Sequence, residues 1–62
     1  MEVTHNTENQ YYDIIPEKYA SFSERRMLEF MFDFCNQIGL EGKKIVSVEQ
    51  LKYIHLSYRI YY

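Results

Sequence analysis

The most regular pattern of apolar and polar positions lies between Ser21 and Leu40, and it predicts an α-helix. At about 100° per residue, most of its apolar side chains fall on one face. They are Met27, Met31, Phe34, Cys35 and Ile38, flanked by Leu28, Phe30 and Phe32. Ser21 and Glu24 have the spacing of a capping box, and Gly39 suits the turn that ends a helix. We therefore expect a helix over residues 22–38.

The apolar face of this helix is unusually wide. It covers roughly 200° of the helical wheel, whereas a surface helix needs a stripe of about 100°. Two interpretations remain open at this point. Either the helix is the core helix of a small domain, or one flank, carrying Phe30 or Phe32, faces a second chain.

The segment 47–62 fits two different periods. As a helix, it has Ser47 as its cap and Gln50 as the capping-box partner. Its apolar stripe is then Val48, Leu51, Ile54, Tyr58 and Tyr62. As a strand, it alternates at Ile54, Leu56, Tyr58, Ile60 and Tyr62, and Ile and Tyr favour strands. A lone strand would lack a partner, so the preferred prediction is a helix over 48–62.

The N-terminal part of the chain is polar up to Gln10, which predicts a flexible tail over 1–10. A rival interpretation makes MEVTH and QYYDII two short strands around NTEN. Residues 11–15 are expected to be extended, because a residue before proline avoids the helical region. Pro16 suits the first position of a short helical turn at 16–20.

These elements predict an all-α fold, an antiparallel helical hairpin with an N-terminal arm. Residues 11–62 would then form a single small helical domain. The alternative is an α+β fold of ββαβ order, in which the N-terminal strands and a C-terminal strand pair with each other.

Length and cysteine content favour association with another chain. A domain of 62 residues buries only about 60% of its unfolded surface and usually needs disulfides, a metal or a partner. Cys35 is the single cysteine, so no intrachain disulfide is possible, and no Cys/His spacing suits zinc. We expect no cofactor. Association or an unusually good core must then supply the stability, and seven tyrosines and four phenylalanines make such a core possible.

Charge and hydropathy exclude several locations and roles. The formal net charge of −2 neither indicates nucleic-acid binding nor imitates nucleic acid. No apolar run approaches the ~20 residues that span a bilayer, and no basic stretch followed by an apolar one indicates a signal peptide. We expect a cytoplasmic protein without membrane contact.

Catalytic chemistry is not indicated by the residues present. Cys35 lies in the middle of the apolar helix face, where a thiol is usually an inert core residue. His5 and His55 are the only histidines, and the chain has no glycine-rich phosphate loop. We therefore expect a protein that is not an enzyme.

Surplus apolar surface favours a small non-enzymatic protein that binds another protein and modulates it as a regulator or inhibitor. Two helices cannot hide all of this surface between them, so we also expect self-association as a homodimer. Tyrosine is enriched at binding hot spots. The expected contact residues are Phe30, Phe32, Tyr53, Leu56, Ile60, Tyr61 and Tyr62.

The alternative function is a small nucleic-acid-binding module. Lys52, His55 and Arg59 would form a stripe on a C-terminal helix, and Lys43 and Lys44 precede it. Such cations can contact phosphates while nearby tyrosines stack on bases. An ordinary solvated helix face accounts for the same pattern.

Residues 39–58 resemble part of the helical-hairpin aspartyl-phosphatases of sporulating bacteria. The turn at Gly39–Leu40 and the stretch Val48–Lys52 carry this resemblance. That family has an aspartate where this chain has Lys52, so the resemblance implies no phosphatase activity here.

Overall fold

The computed structural model describes residues 2–16, 23–52 and 56–62. In these ranges the chain forms a four-stranded antiparallel sheet and one helix, in the order ββαββ. The elements are β1 (Glu2–Asn6), β2 (Tyr11–Ile15), α1 (Glu24–Leu40), β3 (Ser47–Leu51) and β4 (Ser57–Tyr61). Nothing else in the described ranges is helical.

The sheet has the order β1-β2-β4-β3, so each hairpin supplies one central and one edge strand. Tyr12 is paired with Ile60 across the two central strands, and Val48 is paired with Ile60 from the other side. Side chains alternate between the two faces of each strand. Tyr12, Ile14 and Ile60 therefore share one face, and helix α1 covers it.

The core lies between α1 and this face of the sheet. It consists of Tyr12, Ile14, Met27, Met31, Ile38, Leu56 and Ile60. The opposite face of the sheet carries Tyr11, Asp13, Arg59 and Tyr61 by the same alternation. We call this the open face, since α1 lies on the other side.

The predicted all-α hairpin is wrong, and the α+β alternative is confirmed. Residues 48–62 contain two strands rather than a helix, because each finds a neighbour in the sheet. Where the alternative had one C-terminal strand, the structure has a hairpin. Leu56 leads into β4 with a left-handed backbone, φ 56°, so a chain reversal occurs there without glycine.

Residues 2–6 were expected in a flexible tail, but they form strand β1, which pairs with β2 along its whole length. The expected turn at 16–20 and the expected cap at Ser21 fall largely on residues 17–22, which lie outside the described part. Helix α1 begins two residues later than predicted. Its cap is Ser23, whose hydroxyl accepts a hydrogen bond from the Arg26 amide at 3.2 Å.

The helix also continues past its predicted end. Gly39 lies inside its last turn, and the positive φ of 91° occurs at Gly42 instead. The resemblance to helical-hairpin phosphatases loses its structural basis, because Val48–Leu51 belongs to a strand.

Candidate protein-interaction surface

An apolar groove runs between helix α1 and edge strand β3. Leu28, Met31, Phe32, Cys35 and Val48 line it, and its volume is about 210 Å³. Phe32 is 74% exposed, while Leu28 and Val48 are exposed by 44% and 46%. We call this feature the α1–β3 groove. Large apolar side chains grouped in this way on a small protein mark an interaction site or an aggregation hazard.

The groove follows from the width of the apolar helix face. The sheet covers the stripe that contains Met27, Met31 and Ile38, all of which are buried. Leu28 and Phe32 lie on one flank of that stripe and extend past the sheet edge. The opposite flank behaves differently, because Phe30 packs against the core and stacks on Phe34 with ring centroids 6.2 Å apart. Phe32 therefore marks the uncovered flank.

Strand β3 is a sheet edge, with β4 as its neighbour in the described sheet. Ser47, Val48, Glu49 and Gln50 are all exposed, and only Leu51 is buried. Proteins usually protect such edges with lysine, proline or a bulge, because free backbone groups pair readily with another strand. The sequence SVEQL has no lysine and no proline, and its one charged side chain, Glu49, accepts a hydrogen bond from Tyr61 on the open face. A second strand can therefore add to the sheet here.

Charged side chains form the outer rim of the groove. Arg25, Glu29 and Asp33 line the outer side of the ridge formed by Leu28 and Phe32. The Arg25 Nε and Glu29 Oε1 atoms are 3.4 Å apart, and both side chains are largely exposed. An exposed ion pair of this kind contributes little stability, so either partner can exchange it for another charge.

Cys35 lies at the base of the groove and is half-buried. Burial raises the pKa of its thiol, because the thiolate would lose hydration. A reactive cysteine needs the opposite shift. The thiol thus serves as a small apolar lining residue of the groove.

The expected contact residues are distributed over three environments. Phe32 lies at the groove and Phe30 beside the core. Leu56 and Ile60 are core residues, and Ile60 is fully buried, so these two side chains stabilise the domain instead of presenting a surface. Tyr53 lies outside the described residues.

The two C-terminal tyrosines lie on different sides of the sheet. Tyr61 is on the open face, where its hydroxyl donates to Glu49 Oε2 at 3.4 Å. Tyr62 packs on the helix side, where its hydroxyl is hydrogen-bonded to His5 Nε2 and its ring lies 5.3 Å from that of Tyr12. Tyr62 therefore joins strand β1 to the end of the chain, and it does not extend freely toward a partner.

The candidate nucleic-acid residues that lie in the described ranges do not form a stripe. Lys43 lies 3.5 Å from Glu41 Oε2, and a hydrogen bond with the Tyr12 side chain raises its pKa. Lys44 and Lys52 are exposed, and they lie in different connections of the chain. Arg59 is on the open face and is paired with Asp13. His55 lies outside the described residues. Arg59 belongs to β4 and Lys52 follows β3, so the described cations do not share the helix on which the predicted stripe depended.

The open face carries a row of charges across the sheet. Arg59 lies between Asp13 on β2 and Glu49 on β3 in the strand register. Its guanidinium also covers the Tyr11 ring, 4.0 Å from the centroid. The hydrogen bond to Asp13 raises the pKa of Arg59 further above its already high value. The charge of Arg59 is thus already paired with that of Asp13, and this pair connects the two central strands, β2 and β4.

Within the described ranges, no group of three or more His, Cys, Asp or Glu side chains is placed to hold a metal ion. No helix of that part of the chain has the length and apolar character needed to cross a membrane.

Leu28 and Val48 were not singled out as contact residues by sequence reasoning. Val48 was assigned to the buried stripe of a C-terminal helix, and only the edge position of β3 exposes it. The signal available for Leu28 was its place on the same flank as Phe32.

Comparisons with protein-family models, with curated proteins and with solved structures found no match for this chain.

Proposed function

We propose that this chain is a small non-enzymatic interaction protein that binds and modulates a partner protein through the α1–β3 groove. The exposure of Phe32 beside an edge strand carries the proposal. A bound segment would cover the phenyl ring and satisfy the free backbone groups of β3 in one step.

The binding mode that suits this site is addition of a strand to β3. Main-chain hydrogen bonds supply affinity in this mode, and alternate side chains of the added strand enter pockets. Here the side chains on the helix side would enter the α1–β3 groove, between Phe32 and Val48. Those on the other side would lie near Glu49 on the open face.

We propose the cytoplasm as the place of action, since it keeps free thiols such as Cys35 reduced.

A selection of random displayed peptides against the full chain tests the proposal even though the partner is not identified. We expect enriched peptides with apolar residues at every second position. In NMR titrations of the wild-type chain, their binding should shift the backbone amides of 47–51 and of the α1 turn around Phe32. Phe32→Asp should weaken their binding by roughly tenfold or more.

Gln37→Glu is the matched control, because it adds the same charge at an exposed position about 140° around α1 from Phe32. It should leave peptide binding nearly unchanged. Failure to select any peptide whose binding depends on Phe32 would contradict the proposal.

A further inference from the structure

We propose that the strand added at β3 is supplied by a second copy of this chain, so that two copies form one continuous eight-stranded sheet. This inference rests on the proposed function, because it names the partner of the same groove. Two features of the described residues favour a second copy over an unrelated strand: symmetry and register.

Symmetry is the first feature. A two-fold axis perpendicular to the sheet makes two β3 strands antiparallel and leaves both helices on the same side. The flank of α1 that carries Leu28 and Phe32 overlooks the β3 edge, since these residues and Val48 line one groove. The two flanks would therefore face each other across the axis. Each Phe32 would be covered by apolar surface of the other copy, as an isologous interface requires.

Register is the second feature. Directly opposite residues of two antiparallel strands have side chains on the same face of the sheet. Under this two-fold axis, the condition is met only when one residue of β3 lies opposite the same residue of the second copy. Pairing centred on Glu49 would oppose two carboxylates, which is destabilising. Pairing centred on Val48 places an apolar residue opposite itself at the floor of the two grooves. It also places Ser47 opposite Glu49 of the second copy, which brings no like charges together.

The length of the available edge agrees with a centre at Val48. The Val46 amide donates to the Tyr61 carbonyl at 2.8 Å, so pairing with β4 begins one residue before β3. Leu51 at the end of β3 is buried, so residues 46–50 are the exposed part of this edge, with Val48 in the middle. Val46 is itself exposed and would lie opposite Gln50 of the second copy.

A stable dimer must cover a large share of the surface of so small a chain. Stable interfaces bury about 800 Å² per partner. The accessible surface of the chain is 4721 Å², so about one-sixth of it would have to be covered.

The full-length chain tests the inference by its mass and by its register. Sedimentation equilibrium should show a species of twice the 7.6 kDa chain mass that dissociates on dilution. Phe32→Asp should be monomeric with an unchanged circular dichroism spectrum, since the ring is exposed, and Gln37→Glu, on the other side of α1, should remain dimeric.

Cross-linking tests the register. In a Cys35→Ala background, Val48→Cys should form an intermolecular disulfide on mild oxidation, because residues directly opposite have the Cα separation that a disulfide needs. Gln50→Cys is the control. Its two copies would be four residues apart along the strands, roughly 13 Å, which is too far for a disulfide.

A wild-type chain that remains monomeric, or cross-linking at Gln50 in place of Val48, would overturn the inference. If the chain is monomeric while selected peptides still require Phe32, the second copy is excluded and the proposed function stands. If the chain is dimeric and no peptide binds the groove, the self-association stands and the proposed external partner does not.

Discussion

Arg59 and Asp13 form a bidentate ion pair between the two central strands. The Arg59 Nε lies 2.7 Å from Asp13 Oδ1, and its second guanidinium contact to Oδ2 is 3.1 Å. The side chains are 24% and 14% exposed, so both charges are partly removed from water. Two residues that are 46 positions apart in sequence thus connect the N-terminal hairpin to the C-terminal one.

Asp13→Asn should lower the free energy of unfolding by about 1–3 kcal/mol, because it leaves a partly buried guanidinium without its charged acceptor. Asp33→Asn, at an exposed position of α1, should change it by less than about 0.5 kcal/mol. Urea unfolding followed by circular dichroism measures both. Equal losses for the two variants would mean that the ion pair contributes no more than a surface charge. The raised pKa of Arg59 means that the contribution of its charge to stability is fully present below the unfolded-state pKa and is lost as pH rises through the folded-state pKa.

The helix was predictable because its pattern repeats over four turns and has a serine near its start. Strand β1 was only the rival interpretation, because a sheet edge with exposed residues such as Glu2 and Thr4 has the composition of a tail. The C-terminal hairpin was missed for a related reason. The objection to a strand there was the lack of a partner, and β2 supplies that partner only if the N-terminal residues are already in a sheet.

The groove was predictable only in part. The wide helix face indicated surplus apolar surface, and the helical wheel placed Phe32 on a flank of that face. Which flank remains uncovered depends on the direction in which the sheet packs, and a helical wheel carries no such information. Ile60 shows the same limit, since it was assigned to a second helix face and is a core residue of β4.

Gln10→Gly should stabilise the domain by about 0.5–1 kcal/mol. Gln10 has φ 57° at the end of the connection between β1 and β2, a conformation that costs a residue with a Cβ about 1–2 kcal/mol. Glycine removes this cost, but it loses more conformational entropy on folding, and this loss cancels part of the stabilisation. Thermal unfolding should show a higher midpoint for the variant. Glu8→Gly, in the same connection at a residue without positive φ, should give no such increase.

Met31→Ala and Phe32→Ala should differ sharply although they are neighbours on one helix. Met31 is buried in the core, so its truncation should cost about 2–5 kcal/mol. Phe32 is mostly exposed, so its truncation should change the stability of the monomer by no more than about 0.5 kcal/mol. Urea melts at low protein concentration compare them without a contribution from association. A large loss for Phe32→Ala at that dilution would place its ring in the monomer core.

Alkylation of Cys35 should show a pH profile displaced to higher pH in the folded chain. Burial raises the pKa of the thiol, and the thiolate is the species that reacts with iodoacetamide. The same chain unfolded in urea provides the reference, because its thiol is hydrated. Limited access to the groove lowers the plateau rate but leaves the midpoint of the profile unchanged, so the midpoint reports the pKa itself.

The raised pKa of the Cys35 thiol also changes the stability of the fold with pH, in a defined direction. A folded-state pKa above the unfolded one means that the unfolded chain loses its proton first, so stability falls as pH rises past the unfolded pKa. Coincident midpoints for the folded and unfolded chains would show that the thiol is hydrated in the groove.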